Sequence, residues 1–163
     1  MNKEYTKNWN PRDYRTLDDL GSEIDRIEAA AHAGTLEVTG NWSPGQILQH
    51  TAKIFDGALD GFEARAPLPI RLVGRFVFKP KLGKSNMKPG IKLPKKAVSV
   101  LPADAVSTEE GIRHMRGVLG RIQGGEKMLH DSPVLGKMTH EQWVLMHLDH
   151  CRLHFGFLQY GEE

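Results

Sequence analysis

Apolar side chains recur along most of this chain at steps of three and four, the period of helices with one buried face. Leu17, Leu20, Ile24, Ile27 and Ala31 set the first pattern, and Gly34 stops it. The second opens Ser43-Pro44-Gly45-Gln46. Serine is a good cap, proline suits the first helical position, and a glutamine three residues on completes a capping box. Its apolar face runs Ile47, Thr51, Ile54, Phe55, Ala58, Leu59, Phe62. The third opens on Ser107-Thr108-Glu109-Glu110, turns Ile112, Met115, Val118, Leu119 and Ile122 inward, and ends at Gly124-Gly125. The fourth opens Thr139-His140-Glu141-Gln142 and runs through Trp143, Met146, His147, His150, Cys151, His154, Phe157 and Leu158, with Gly161 beyond its end.

Between the second and third patterns lies a stretch from Ala64 to Val106, broken by Pro67, Pro69, Pro80, Pro89, Pro94 and Pro102. Its short apolar pieces, Leu72-Val73, Phe76-Val77-Phe78 and Ala97 to Leu101, suit brief extended segments or one helical turn. Four helices with one long crossover predict an all-α fold, a four-helix bundle in which helices two and three run parallel or diagonal. A chain of 163 residues suffices for one domain over residues 1–163, with the crossover, 64–106, inside it.

Charge changes the picture locally. The net charge is only +2, but from Arg65 to Ala103 there is no Asp or Glu, while Arg71, Arg75, Lys79, Lys81, Lys84, Lys88, Lys92, Lys95 and Lys96 fall inside. That stretch reads as a solvated connection, or as a strip that attracts an anionic substrate or nucleic acid. Phe76 and Phe78 are its only aromatics, which counts against a nucleic-acid stacking platform. The single cysteine, Cys151, excludes an intrachain disulfide and fits a reducing compartment. No apolar run approaches the roughly 20 residues that span a bilayer, so no membrane partner is expected. Met1 to Thr6 leads into polar sequence rather than the apolar core of a secretory signal, and the cytoplasm is the expected location. Gly83-Lys84-Ser85 lacks the upstream glycine of a phosphate loop, because position 78 is Phe78.

Of eight histidines, His147, His150 and His154 share the fourth pattern at spacings of three, four and seven. At about 100° per residue they project along one line, in the middle of the apolar stripe. Buried imidazoles need partners, and a metal supplies a common one. His150-x-x-x-His154 puts two ring nitrogens on consecutive turns, where both reach one ion at about 2.0–2.1 Å. His50, at the edge of the second helix's buried stripe, is the candidate third ligand; spacing does not show that the two helices face each other. A satisfied core histidine is the plainer reading of each ring taken alone. His32, His114, His130 and His140 read as surface residues, Asp149 and Glu141 as surface charges or outer partners of the ligands, and Gln46 and Gln49 as residues that could orient His50. Cys151 reads as a buried small hydrophobe, with a thiolate ligand as the alternative.

Two passages, Asn41-Trp42-Ser43-Pro44-Gly45-Gln46-Ile47-Leu48-Gln49-His50 and Leu135 to Trp143 followed by His150 and His154, resemble the DinB-like superfamily of bacterial metal proteins. The similarity is closest to an uncharacterised branch of it and covers nearly the whole chain. The resemblance implies a four-helix bundle with a three-histidine site for Zn, Ni or a similar divalent ion. His50, His150 and His154 fall on its ligand positions. Cys151 and Phe155-Gly156-Phe157 depart from the branch's His-His and Gln-Phe pattern, which leaves His147 as an alternative to His150 or His154. Relatives include transferases and isomerases dependent on small thiols, and some dimerise through bundle faces, so a homodimer is a further expectation.

Three neutral imidazoles leave an ion an open position, the pattern of a catalytic site. The expected function is that of a metal-dependent enzyme activating a thiol cofactor or water against a small electrophilic substrate. The alternative is a non-catalytic, metal-stabilised bundle serving as a stress-response or partner-binding module.

Overall fold

Four capping boxes set the starts of four long helices. In a computed structural model that describes residues 8–84, 87–90 and 100–161, α1 spans Leu17–His32, α2 Pro44–Asp60, α4 Thr108–Gln123 and α5 His140–Phe155. The caps are Thr16, Ser43, Ser107 and Thr139, each paired with the side chain three residues on. The box at Thr16 uses Asp19 rather than Glu or Gln. Between α2 and α4 the crossover forms a fifth helix, α3 (Leu68–Val73), which continues as a π turn over Gly74–Phe78 and a 3-10 turn over Lys79–Lys81. The chain is thus mostly helical, as its periodicity predicts. Within the crossover, Leu72-Val73 and Phe76-Val77-Phe78 take the helical option rather than the extended one. Ser85, Lys92, Lys95, Lys96 and Ala97 to Ser99 lie outside the described residues.

The long helices share one core built from the predicted stripes: Leu20, Ile24 and Ile27 of α1, Ile47 and Phe55 of α2, Met115 of α4 and Trp143 of α5 are all nearly inaccessible. Helices α2 and α4 run parallel. Gly45 at the start of α2 lies against Ser107 and Gly111 at the start of α4, while Asp60 at the end of α2 pairs with Arg121 near the end of α4. Backbone contact at the crossing requires glycine. A Cβ on Gly45 would collide with the Val106 and Ser107 carbonyl oxygens, and one on Gly111 would lie 2.8 Å from both the Gly45 oxygen and the Leu48 Cβ.

Two boundaries differ from the periodic pattern. Helix α2 stops at Asp60 because Gly61 turns to positive φ (104°), so Phe62 leaves the helix and stacks on Trp143 at 5.9 Å. Helix α5 stops at Phe155, with Gly156 as its cap. Leu158 lies instead in a two-residue strand, β2 (Leu158–Gln159), antiparallel to β1 (Glu37–Val38). The N-terminal segment causes the early stop: Trp9 Nε1 donates to the Leu153 carbonyl at 2.9 Å and packs so closely on Gly156 that a Cβ there would strike its indole. Asn10 N–H donates to the Gly156 carbonyl at 2.8 Å. No helix among the described residues is long and apolar enough to cross a membrane.

Candidate metal centre

Helix α2 delivers His50 two turns past its cap, and α5 delivers His150 and His154 from consecutive turns near its end. Their ring centroids are separated by 5.1 Å (His50–His150), 4.7 Å (His50–His154) and 4.5 Å (His150–His154). One potential ligand atom from each lies within 4.8 Å of the others. The helices that carry them therefore do face each other at this point, which spacing left open.

The crossover fixes the state of His50. Its Nδ1 lies 2.6 Å from the Val100 carbonyl oxygen. A carbonyl only accepts, so Nδ1 carries the proton and Nε2 keeps its lone pair. A hydrogen bond of this kind would orient the imidazole toward an ion held by the cluster. Lys53, one turn on, donates to the Leu101 carbonyl at 2.7 Å and holds the same segment. Gln46 and Gln49 were candidate partners of His50; the structure places them on the crossover instead. Gln46 donates to the Ala103 and Asp104 carbonyls at 3.0 and 3.1 Å, and Gln49 accepts from Ala103 N–H at 2.8 Å.

Electrostatics keep all three rings neutral. Burial, countered by the Val100 hydrogen bond, lowers the pKa of His50. Burial and the neighbouring imidazoles hold His150 well below the usual histidine range, and burial with His50 brings His154 down to about 3. A neutral imidazole is the form that binds metal. His150 Nδ1 is buried with no hydrogen-bond partner, an orphaned lone pair or N–H of the kind an ion satisfies. Neutral nitrogens, one fixed tautomer and an unpartnered atom together fit a divalent ion.

Trp42 closes one side, stacked on His154 at 5.6 Å and tilted over His50 at 4.9 Å. Although the residue stands out in the sequence, nothing there assigns it to the site. Asp149, read as a surface charge or an outer partner of the ligands, is buried at 5% exposure and accepts from Gly83 N–H at 2.8 Å, tying the crossover to α5 beside His150. Its distance round the helix from the histidine line is real; the crossover covers that side too. Glu141 is exposed as expected.

His147 does not join the cluster. It stacks face to face on Phe55 at 3.6 Å and near-parallel to Trp143 at 5.4 Å, fully buried and with neither ring nitrogen hydrogen-bonded. Cys151 is buried and free, its thiol pKa raised by burial. His32 and His130 are exposed. His114 and His140, read as surface residues, are half-buried: the first lies 2.6 Å from Asp56 and the second accepts from Met128 N–H at 3.2 Å.

Among curated proteins and among solved structures, nothing matches the chain. A family model described as a protein of unknown function (DUF1569) matches residues 9–160, which takes in the caps, the crossover and all three clustered histidines. The chain therefore belongs to the DUF1569 family.

Proposed function

We propose that the chain is a single DinB-like four-helix domain in which His50, His150 and His154 hold one divalent ion, Zn or Ni. We further propose that the site acts on a small electrophilic substrate with a low-molecular-weight thiol or water. The observation behind this reading is the convergence of three neutral imidazoles from α2 and α5. A divalent ion with three such ligands lowers the pKa of a thiol or water in its free position toward neutrality. The chain's own groups supply the rest. Val100 orients His50, Trp42 shields the cluster from bulk water, and the cations of the crossover draw an anionic substrate toward it.

Elemental analysis of untagged protein should find about one divalent ion per chain, lost in His50→Ala and His154→Ala variants that keep their helical circular dichroism. Absence of a stoichiometric ion from the parent protein would defeat the reading. The Trp42 ring over two of the three imidazoles also suits a closed, stabilising site. Turnover of electrophiles with a panel of small thiols separates the two roles: activity lost without loss of fold in the variants marks catalysis. A large fall in Tm with no turnover marks a structural ion.

A further inference from the structure

Most of the exposed large hydrophobic side chains among the described residues fall between 68 and 78. Leu68, Leu72 and Phe76, four residues apart, are 63%, 48% and 68% exposed. They form one row along α3 and the π turn after it, and Ile70, Val73, Val77 and Phe78, each about half exposed, extend the apolar surface beyond that row. The inner side is fixed. Gly74 touches the Val134 carbonyl so closely that a Cβ would collide with it, Ala66 N–H donates to the Pro133 carbonyl at 3.1 Å, and Lys79 Nζ bonds the Lys137 carbonyl. The stripe is therefore held outward by a docked backbone.

A second stripe lies beside it at the same spacing: Arg71, Arg75 and Lys79. Arg75 and Lys79 share with Lys137 a shallow hollow of about 300 Å³. Asp131, which lies beside Leu68 and Arg71 on this face, is 3.9 Å from Arg65. Apolar and cationic rows side by side on one short helix match a bilayer surface, with the first row entering the acyl boundary and the second meeting lipid phosphates. A second copy of the chain fits less well, because a two-fold contact would bring one basic row against the other.

We propose that this face docks on an anionic lipid surface, with Leu68, Leu72 and Phe76 as the inserted side chains and Arg71, Arg75 and Lys137 as the phosphate-facing cations, while Lys79 stays engaged with the Lys137 carbonyl. The contact is peripheral, with no helix crossing the bilayer, so it departs from the sequence expectation of no membrane partner, which rested on spanning length alone; it leaves the histidine cluster unaltered.

Sedimentation of the full-length protein with vesicles tests this. Binding is expected to vesicles of equal phosphatidylcholine and phosphatidylglycerol in 50 mM NaCl, at least tenfold weaker to phosphatidylcholine alone, and strongly reduced in 500 mM NaCl. The exposed double change Leu72→Glu/Phe76→Glu should abolish it with Tm unchanged. Arg75→Ala should weaken it about fivefold, the equivalent of roughly 1 kcal/mol per surface cation. No sedimentation with the anionic vesicles overturns the proposal, as does binding that the double variant retains. Dimerisation that the double variant abolishes, without vesicle binding, assigns the face to a second copy. Capture by polyglutamate without vesicle binding assigns it to an acidic protein; either result also overturns the proposal.

Discussion

His147 occupies the core as a neutral ring between Phe55 and Trp143, its two nitrogens without partners. Burial brings its pKa down to about 3, against about 6.5 in an unfolded chain. The unfolded state therefore binds the extra proton between those values, and this residue's contribution to stability falls as pH drops from about 6.5 toward 3. Replacing an unsatisfied polar ring with an apolar group of similar size removes that cost. His147→Leu should raise stability in urea by about 1–2 kcal/mol at pH 7, with a larger gain at pH 5, and leave the metal content unchanged. A loss of metal in that variant would place His147 among the ligands. The sequence shows His147, His150 and His154 on one line, and a helix wheel cannot divide them. The division comes from α2, which offers Phe55 to the first ring and His50 to the other two.

The helices themselves were largely legible before any coordinates. Three of the four caps follow the Ser/Thr-to-Glu/Gln pattern, and the apolar stripes name most of the buried hydrophobic side chains, missing, among the larger ones, Leu48, Leu148 and Phe155 on the helices and Met128, Leu135 and Met138 between α4 and α5. The fourth cap escaped that pattern because Asp19 does the work of a Glu or Gln at the same place. Strands of two residues carry too little alternation to be seen, and α5 ends where a tryptophan over a hundred residues away packs on Gly156. Nothing local announces either. The parallel crossing of α2 and α4 rests on Gly45 and Gly111, which in sequence look like helix-weakening residues. Gly111→Ala must push Leu48 and the Gly45 backbone aside, so it should lower stability by about 1–3 kcal/mol although alanine is the better helix former. Gly117→Ala, with nothing within 4 Å of the added methyl, should instead raise stability slightly. Thermal melts of the two variants decide the point.

Glu23, wholly buried on α1, gathers both ends of the described chain. Its carboxylate accepts from Tyr14 at 3.0 Å and from Tyr160, and pairs with Arg26 at 2.6 Å and Arg12 at 3.7 Å. Burial, with the Glu23 charge beside them, holds both tyrosine hydroxyls protonated. Removing the carboxylate leaves a buried guanidinium nitrogen of Arg12 further from any partner, so Glu23→Ala should cost about 3 kcal/mol or more. Tyr160→Phe should cost about 1 kcal/mol, both measured by denaturant unfolding. The histidine cluster lies within a structure closed in this way and is overlain by the crossover, pinned at Asp149 on one side and at His50 and Lys53 on the other. Long-range closure of that kind has no signature in spacing or composition, which is why the three clustered histidines were readable and their surroundings were not.

Trp42, in ring contact with His154 and His50, gives the protein its own optical gauge. A paramagnetic ion such as Ni²⁺ or Cu²⁺ arriving between those rings would quench the indole's fluorescence, whereas Trp9 and Trp143 sit against other neighbours and keep theirs. A titration followed by emission, silent in Trp42→Phe, would report occupancy directly, before any substrate is known.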